Sequence, residues 1–460
     1  MFFINIDFFE DYIIIKTEVI RVKFEHIETT FCPVCRRAHT KDVKAIYSGK
    51  DALGKIPEAL ELLGTKKAFL LADVNTFPLA GERIIAILSD KGIACSEYVF
   101  TSKHLEPDEK AVGSAIMHYD YACDTVIALG SGVINDIGKM LSATAGASYV
   151  IVATAPSMDG YASATSSMSR DGLKVSIPSK CADVIIGDTD LLKTAPENML
   201  KAGIGDMLAK YISICEWRIA HLITGEYYCE TIAELIRGAL KKCTDNAGGL
   251  LAREDEAIEA VFEGLVIGGL AMSYAGVSRP ASGVEHYLSH IWDMRALEFG
   301  TKADLHGIQC AIGTRVSARL YEEIKKVRPE REKALKYSGD FDFAAWSTEL
   351  RKFLGAGAEA MIALEAKEGK YDTEKHAARL EIIIDKYDEI LSIIREEIPS
   401  TAELERIFDV ISLPKTVSEI GIDEALLPMT FKASKDIRDK YVLPRLAFDL
   451  GILDELAELL

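Results

Sequence analysis

Short apolar runs alternate with helix-like patterns along the first half of the chain, from about residue 44 to 190. The runs have the length and composition of buried strands and are bounded by turn residues. We predict five strands, at residues 66–73, 92–100, 124–132, 148–156 and 182–192. Strand, helix and strand at this spacing indicate a doubly wound, mostly parallel sheet. The predicted fold class is therefore α/β in this part of the chain.

The pattern changes near residue 195, where long amphipathic stretches replace the short apolar runs. Residues 195–460 are therefore predicted to form an all-helical domain, which follows an α/β domain at 44–194. Residues 1–43 are predicted to be an N-terminal extension with a Cys-rich turn, beginning with an accessory strand or a partly ordered segment. Residues 325–400 are rich in Lys and Glu, which indicates a solvated helical face or an insertion.

Composition and charge narrow the classes of partner. The 460 residues carry a formal net charge of −18 and no basic block, so no nucleic-acid partner is expected. No uncharged run of about 18 residues occurs, and the apolar N-terminus carries Asp7, Glu10 and Asp11, so neither a membrane span nor a signal peptide is expected. Nine cysteines stand mostly alone in apolar runs, which favours reduced thiols and a cytoplasmic protein.

The first candidate site is the glycine turn, Gly130-Ser131-Gly132, which follows a predicted strand and precedes a helix. Glycines at this point allow the backbone to approach a pyrophosphate, whose charge the helix N-terminus stabilises. The alternative is a tight turn without a ligand, since the spacing is not G-x-G-x-x-G. Asp73, at the end of an earlier strand, suits a ribose hydroxyl acceptor or, taken singly, a helix cap.

The second is the hydroxyl segment, residues 152–168, which follows another predicted strand. Its polar residues include Thr154, Ser157, Asp159, Ser163, Thr165, Ser166 and Ser167. Ligands of parallel sheets lie at the carboxyl ends of the strands, so this segment and the glycine turn are predicted to share one crevice. A surface turn is the alternative.

The third candidate site is a group of possible metal ligands. His286, His290 and His306 fall within a short stretch, and the glycine-flanked Asp206 lies on an earlier predicted helix. A catalytic divalent metal takes three protein ligands and keeps positions open for substrate, so four candidates compete for three places. Histidines four apart share one helix face, but a lone histidine in an apolar helix is more often structural.

The pattern C-x2-C-x3-H at Cys32, Cys35 and His39 resembles half of a zinc knuckle. A closed structural zinc site needs four ligands, and no second Cys/His pair follows nearby, so a turn with two free thiols is the favoured interpretation. A serine nucleophile is excluded because no G-x-S-x-G occurs, and a zinc protease because no H-E-x-x-H occurs.

Five segments, in order across roughly residues 45–320, resemble a known family: GSGVINDIGK, TAPSMDGYASATSSM, AGIGDMLAKY with its continuation, SRPASGVEHYLSHIWDM and LHGIQCAIG. They are similar to the sn-glycerol-1-phosphate dehydrogenases, of the superfamily that includes iron-containing alcohol dehydrogenases, glycerol dehydrogenase and dehydroquinate synthase. The resemblance implies a dehydroquinate synthase-like fold: a Rossmann-like dinucleotide-binding domain and a helical domain for metal and substrate. CPVCRRAH looks like the Cys-rich start of some bacterial members.

The resemblance implies reversible reduction of dihydroxyacetone phosphate to sn-glycerol 1-phosphate by NADH or NADPH, with zinc or nickel, in a homodimer. The cofactor-binding residues implied are Asp73, Gly130, Ser131, Gly132, Val133, Ile134, Asn135, Asp136, Thr154, Ser157 and Ser163. Of these, Asp73 would contact the adenosine ribose, and Thr154, Ser157 and Ser163 the nicotinamide half. The metal ligands implied are Asp206, His286 and His306. Asp159, Asp206 and His290 would face the substrate, with Asp159 and His290 catalytic.

Three alternatives remain beside this interpretation. A glycerol or other metal-dependent alcohol dehydrogenase would use the same ligands without a phosphate pocket. Dehydroquinate synthase requires a lysine- and asparagine-bearing motif around the histidines, which this sequence lacks. A non-catalytic scaffold protein would not need the metal and cofactor residues that this sequence contains. An acidic Asp73 favours NAD because it repels a 2′-phosphate. Arg279, just before the histidine helix, is a candidate for the substrate phosphate.

Overall fold

A computed structural model describes residues 20–21, 31–40, 42–170 and 173–460. Seven strands form one sheet in the order β1-β2-β9-β6-β5-β3-β4, and a separate hairpin pairs β7 with β8. The sheet contains β1 (Ile20–Arg21), β2 (Ala45–Gly49), β3 (Lys67–Asp73), β4 (Ala94–Phe100), β5 (Thr125–Gly130), β6 (Ser148–Ala153) and β9 (Val184–Asp188), and the hairpin contains β7 (Thr165–Arg170) and β8 (Leu173–Pro178). All neighbours in the sheet are parallel except β1 and β2.

The parallel sheet forms because its strands are apolar on both faces. Alternate residues of a strand point to opposite sides, so Leu71 and Val126 enter one core cluster while Leu70 and Ile127 enter another. The helices α1 (Ile56–Leu63), α2 (Phe77–Asp90), α3 (Glu109–His118), α4 (Gly132–Ala145) and α5 (Thr189–Leu192) accompany these strands. The doubly wound α/β prediction is confirmed.

The five predicted strands are confirmed with ends that differ by a few residues, whereas β1, β2, β7 and β8 were missed. β1 has two residues and β2 has five, β7 is mostly polar, and β8 alternates apolar with polar residues, so none shows a long apolar run. The hydroxyl segment is therefore a loop only as far as Ala164, and Thr165 begins β7. Most of the predicted N-terminal strand or extension lies outside the described residues.

From Thr189 to the end, every described α or β element is a helix. After α5 these are α6 (Glu197–Leu208), α7 (Lys210–Thr224), α8 (Glu230–Asp245), α9 (Asp255–Ala275), α10 (Val284–Phe299), α11 (His306–Ile324), α12 (Arg331–Gly339), α13 (Phe343–Leu354), α14 (Ala358–Glu368), α15 (Thr373–Asp385), α16 (Tyr387–Glu397), α17 (Thr401–Val410), α18 (Leu427–Ser434), α19 (Leu443–Asp449) and α20 (Leu453–Ala457). The helical prediction is confirmed for this region, including residues 325–400. The domain boundaries at 43/44 and 194/195 stay predictions.

Helix α9 is the one helix in the described residues that is long and apolar enough to cross a membrane. Its most apolar window has a mean hydropathy of 1.4, but 72% of that window is buried inside the protein. Glycines along it admit close neighbours: a Cβ on Gly269 would lie 2.8 Å from the carbonyl oxygen of Asp159. The packing is that of a core helix, and it supports the end of the hydroxyl segment.

Candidate active site

The glycine turn joins β5 to α4 at the carboxyl edge of the sheet. A Cβ on Gly130 would lie 2.5 Å from the Cβ of Ile134, so a side chain is excluded there. Gly138 is equally constrained, because a Cβ there would lie 2.8 Å from the ring of Tyr149. The lack of a side chain at Gly138 lets α4 pack close to the sheet. At Gly132 the nearest atom is 3.7 Å away. The chain is therefore closely packed at Gly130 and Gly138, whereas Gly132, the first residue of α4, has space around it.

The remaining residues predicted to bind the dinucleotide phosphates form the first turn of α4. Ile134 is buried in the core, and the Asn135 amide donates to the carbonyl oxygen of Gly160. The Asn135 backbone N–H bonds to Ser131, which leaves the preceding N–H groups of the helix without a partner within the helix. A phosphate at this point would be bound mainly by those N–H groups and by the helix dipole.

The hydroxyl segment meets the glycine turn directly, as predicted. The Ser131 and Ser157 hydroxyl oxygens lie 2.6 Å apart, and the Thr154 N–H donates to the carbonyl of Gly130. Ser163 does not bond to the glycine turn in this way; its hydroxyl accepts a hydrogen bond from the Lys139 ammonium, 2.9 Å away. The two segments thus lie in contact at the carboxyl edge of the sheet, and Thr154 and Ser157 are buried, so the alternative of a surface turn is wrong. That they form one ligand crevice stays a prediction.

Lys139 is a residue that the sequence analysis missed. It is fully buried, and its ammonium also donates to the carbonyls of Gly160 and Thr165, so it fixes the hydroxyl segment against α4. Burial lowers the pKa of Lys139. A lysine one turn after Asp136 in an otherwise apolar helix was the available signal.

Asp73 ends β3 and is almost buried. Its Oδ1 accepts from the backbone N–H groups of Asn75, at 2.8 Å, and Thr76, at 2.9 Å. These bonds fix the turn into α2, whose N-cap residue is Thr76, so Asp73 is not the helix cap that the sequence left open as an alternative. Contact between Asp73 and a ribose stays a prediction.

Three helices converge on Asp206, His286 and His306, which we call the interior cluster. Asp206 lies on α6, His286 on α10, and His306 begins α11. The helices approach closely because glycines stand where they cross. A Cβ on Gly205 would lie 2.3 Å from the carbonyl oxygen of Gly307, and one on Gly307 would lie 1.9 Å from that of Ala202. The glycines beside Asp206 and His306 therefore allow each of these two side chains to lie next to His286.

The hydrogen bonds of the two histidines direct one ring nitrogen of each into the cluster. His286 Nδ1 lies 2.7 Å from Oε1 of Glu285, and a carboxylate only accepts, so Nδ1 carries the proton. His306 Nδ1 lies 3.0 Å from the Ser289 hydroxyl, whose own proton goes to Oε1 of Gln309 at 2.6 Å. His306 therefore also donates from Nδ1. Both Nε2 lone pairs remain for a metal, the arrangement found in metal sites whose histidines have a second partner.

The neighbours of these lone pairs favour a cation. His286 Nε2 is 3.5 Å from Oδ1 of Asp206, so two acceptors face each other unless a proton or a cation lies between them. The rings of His286 and His306 have centroids 5.0 Å apart. Two imidazole nitrogens and a carboxylate oxygen are a donor set that suits zinc and other borderline divalent metals. The residues present therefore fit a catalytic metal.

Asp159 connects the hydroxyl segment to the interior cluster. Its backbone N–H donates to Oδ2 of Asp206 at 2.9 Å, and its carboxylate accepts from the Lys210 ammonium at 2.6 Å. Lys210 also donates to Oδ1 of Asp206 at 2.9 Å and to the Ala281 carbonyl. Burial alone would lower the pKa of Lys210, but the two carboxylates outweigh it and the pKa is raised. Burial would raise the pKa of Asp206, and Lys210 with the histidines holds it low.

The described residues contain three groups near this centre whose possible donor atoms lie within 4.8 Å of one another: Asp159, Asp206 and His286; His286, His306 and Cys310; and His290, Asp293 and His306. The predicted ligands span the first two groups, with His286 common to both. Cys310, one turn after His306, was missed. Burial would raise its pKa, but His286 and His306 lower it. A cysteine four residues after a histidine on one helix was the available signal.

His290 lies at the rim of the interior cluster. It is half-buried, and its ring centroid is 6.5 Å from that of His286 and 5.7 Å from that of His306. His290 shares a group of possible ligands with Asp293 and His306, whereas Asp206 belongs to the group with Asp159 and His286. His290 thus lies beside the centre, where a substrate-facing role is possible and remains a prediction.

Arg279 does not serve as the phosphate anchor considered from the sequence. Its side chain is 1% exposed, and its guanidinium forms a two-pronged ion pair with Glu226 at 2.6 and 2.5 Å. A third donor bonds to the carbonyl of Tyr441 at 3.0 Å. The residue fixes the loop before α10, so that interpretation was wrong.

Comparison with known proteins finds similarity to a family model and to curated relatives. Residues 47–196 match the family model of iron-containing alcohol dehydrogenase. A glycerol-1-phosphate dehydrogenase [NAD(P)+] of Halalkalibacterium halodurans is 31% identical over 284 residues, which cover 61% of this chain and 71% of that protein. The enzyme of the same name from Bacillus licheniformis is 33% identical over 289 residues, covering 62% and 72% respectively.

Solved structures share the fold at lower identity. Glycerol dehydrogenase from Schizosaccharomyces pombe superposes with a TM-score of 0.56 and 16% identity, covering 90% of this chain and 89% of that one. Because the superposition covers nine-tenths of the chain, it extends over both the sheet and the helical region.

Proposed function

The chain belongs to the glycerol-1-phosphate dehydrogenase family of NAD(P)-dependent oxidoreductases, and on that premise we propose that it reduces dihydroxyacetone phosphate reversibly to sn-glycerol 1-phosphate. The observation that carries this proposal is the link at Asp159. One residue joins the segment proposed to hold the nicotinamide to the cluster proposed to hold the metal. A hydride donor and an activated carbonyl must meet within van der Waals contact, and this link supports such a meeting.

The chain's own groups can position both reactants. The N–H groups at the start of α4 bind the dinucleotide phosphates, and the hydroxyls of Thr154, Ser157 and Ser163 line the nicotinamide half. Asp73 contributes to the ribose site. Asp206, His286 and His306 hold one divalent cation, which when bound polarises a ketone oxygen and stabilises negative charge on it. The donor set accepts zinc or nickel.

Proton transfer is assigned to the substrate side of the interior cluster. Reduction of the carbonyl leaves an alkoxide that needs one proton. His290 is half-buried beside the cluster, and histidine exchanges protons with solvent near neutral pH. Lys210 holds Asp159 in place through a buried ion pair, so Asp159 can accept a hydrogen bond from a substrate hydroxyl. We assign the catalytic proton relay to His290 and substrate orientation to Asp159 and Asp206.

The division between the two helix neighbours His286 and His290 has a direct test. His290→Ala should lower turnover by roughly 100-fold while the bound metal stays near wild type, because the proton relay is lost. His286→Ala should lose metal and activity together. His104→Ala, at an exposed histidine, is the matched control and should change neither. Equal metal loss in His286→Ala and His290→Ala would refute the assignment.

The overall proposal is tested by substrate and cofactor. NADH or NADPH oxidation is measured with dihydroxyacetone phosphate and with dihydroxyacetone, before and after chelation. We expect a chelator-sensitive rate that requires the phosphate, with NADH preferred because Asp73 repels a 2′-phosphate. Faster turnover of the unphosphorylated ketone or of glycerol would favour the second candidate, a metal-dependent alcohol dehydrogenase, which the fold of the glycerol dehydrogenase relative supports. No rate with either substrate would contradict both.

We further propose that the enzyme is a cytoplasmic homodimer. None of the nine cysteines, which all lie in the described part of the chain, forms a disulfide, as expected in a reducing compartment. The dimer rests on the family resemblance alone. Sedimentation at several concentrations would test it, with a monomer at all concentrations as the contrary result.

A further inference from the structure

Four side chains far from the interior cluster in sequence meet at the N-terminal turn. Cys32, Cys35 and His39 come from that turn, and Cys229 comes from the start of α8, 190 residues after His39. Their possible donor atoms all lie within 4.8 Å of one another. We call these four residues the thiol cluster. The sequence offered three ligands and no fourth nearby, and the fold supplies the fourth.

The distances between the donor atoms match the edges of a zinc tetrahedron. Bonds of about 2.3 Å to sulfur and about 2.0 Å to nitrogen place two sulfurs about 3.8 Å apart, and a sulfur and a nitrogen about 3.5 Å apart. The Sγ atoms of Cys32 and Cys229 are 3.9 Å apart. His39 Nε2 is 3.2 Å from Cys35 Sγ and 3.6 Å from Cys229 Sγ. A disulfide would need sulfurs about 2.05 Å apart.

The turn itself is shaped to present two sulfurs to one point. The N–H of Arg36 donates to the carbonyl of Cys32 at 2.8 Å, and the N–H of Cys32 to that of Arg37 at 2.9 Å. Arg36 takes the left-handed conformation, φ 60°, which a residue with a side chain adopts at a cost of roughly 1 kcal/mol. Backbone N–H groups of Cys35 and Val34 bond to the Cys32 sulfur. The turn therefore stabilises a thiolate.

The rest of the site is equally enclosed. Cys229 and His39 are buried, and Cys229 caps α8, whose N-terminal end favours negative charge. The Tyr227 hydroxyl donates to Cys35 Sγ at 3.3 Å, and the Arg37 guanidinium lies 3.8 Å from the centre of the Tyr227 ring. Three sulfurs and one nitrogen complete a tetrahedron without an open position, which is the donor set of structural zinc.

We propose that Cys32, Cys35, His39 and Cys229 bind a structural zinc ion that fastens the N-terminal turn to the start of helix α8. The site goes beyond the proposed dehydrogenase function and does not depend on it. With all four positions taken by protein, the ion supplies stability and no catalysis. Its binding free energy adds to the folding free energy of the segment it closes.

Metal analysis of the full-length, reduced protein tests this proposal. After zinc loading and removal of free metal, wild type should hold about two equivalents, one in each cluster. Cys229→Ser and His286→Ala should each hold about one, and the double variant close to none. Cys95→Ser, at a half-buried thiol on β4, is the matched control and should retain both equivalents. Cys35→Ser, at the half-buried member of the thiol cluster, replaces Cys229→Ser if the latter fails to fold.

Cobalt substitution identifies the ligands. Cobalt in the thiol cluster should give a near-ultraviolet thiolate-to-metal charge-transfer band that Cys35→Ser and Cys229→Ser abolish. The band should persist in Cys310→Ala, which removes the thiol beside the interior cluster. Unchanged metal content in both Cys35→Ser and Cys229→Ser would overturn the proposal. A Cys32–Cys229 disulfide in mass spectra of the protein purified without reductant would also overturn it. Dehydrogenase activity, followed in parallel, reports on the interior cluster separately.

Discussion

The interior cluster and the thiol cluster both bring possible metal ligands together, but with different chemistry. Asp206, His286 and His306 offer oxygen and nitrogen from three helices, and further polar groups, Asp159, Lys210 and His290, adjoin them. The thiol cluster offers three sulfurs and one nitrogen and is closed. Three protein ligands leave room for a substrate, whereas four leave none. Ligand number and neighbouring groups therefore distinguish a reactive metal site from a structural one.

Charge compensation differs in the same way. Asp159 and Asp206 are paired with the buried Lys210, so a cation already lies beside the interior cluster before any metal binds. In the thiol cluster, peptide N–H groups stabilise sulfur, and a metal ion would supply the main positive charge. We therefore expect the interior cluster to release and regain its metal more readily than the thiol cluster.

The largest effect is expected for Asp206→Asn. The amide keeps the shape of the side chain but removes the charged ligand and the ion pair with Lys210. Catalytic efficiency, kcat/KM, should fall on the order of 10³-fold, because stabilisation of the developing negative charge is lost. Zinc in the thiol cluster should remain, as measured by metal analysis and the cobalt spectrum. Loss of metal from both clusters in this variant would mean that the two sites are not independent.

A smaller effect, on stability, is expected for Lys210→Met. Removal of one partner from a buried ion pair leaves charge uncompensated and lowers the free energy of unfolding by about 3 kcal/mol. Urea denaturation should show this loss in the metal-free protein, and a divalent metal should restore part of it. Lys241→Met is the matched control: its ion pair with Asp245 has the same helical spacing but is exposed, so little change is expected. Equal midpoints for the two variants would contradict the compensating role of Lys210.

The smallest effect is expected for Ser289→Ala, which leaves all predicted ligands in place. His306 Nδ1 then loses the acceptor that directs Nε2 into the interior cluster. Metal affinity should fall by roughly 10-fold to 100-fold, while turnover at saturating metal stays near wild type. Metal titration of activity measures both quantities. Ser317→Ala, a buried serine on α11 bonded to its own helix, should leave the titration unchanged. A lower turnover with unchanged affinity would assign Ser289 to the reaction itself.

Much of the fold could be predicted because the parallel strands are buried on both faces. β3, β5 and β6 are continuous apolar runs, and such runs are visible in sequence. The strands that were missed are short or polar and gain their stability from neighbours. The hairpin of β7 and β8, for example, packs against α4 and α10. Pairing of this kind is a tertiary property, so a local pattern does not report it.

In the candidate site, too, local motifs could be predicted from the sequence, whereas roles that depend on packing could not. The glycine turn, the hydroxyl segment and the three histidines stand in compact motifs, so their residue types indicated phosphate and metal chemistry. Lys139 and Lys210 were missed because a lysine is usually exposed, and only the packed structure buries these two among oxygen acceptors. Arg279 was considered for the opposite reason: its position before α10 suggested access, but Glu226 occupies its guanidinium.

The sequence by itself determined the α/β and helical halves, the family and the chemical types of the active-site residues, because periodicity and short motifs are local. The tertiary structure decided which groups meet. Close helix crossings at Gly205 and Gly307 allow both Asp206 and His306 to lie beside His286, and the folded chain brings Cys229 to Cys32, 197 residues earlier. Partners so far apart in sequence are selected by the packing of the whole chain, which no short stretch of sequence encodes.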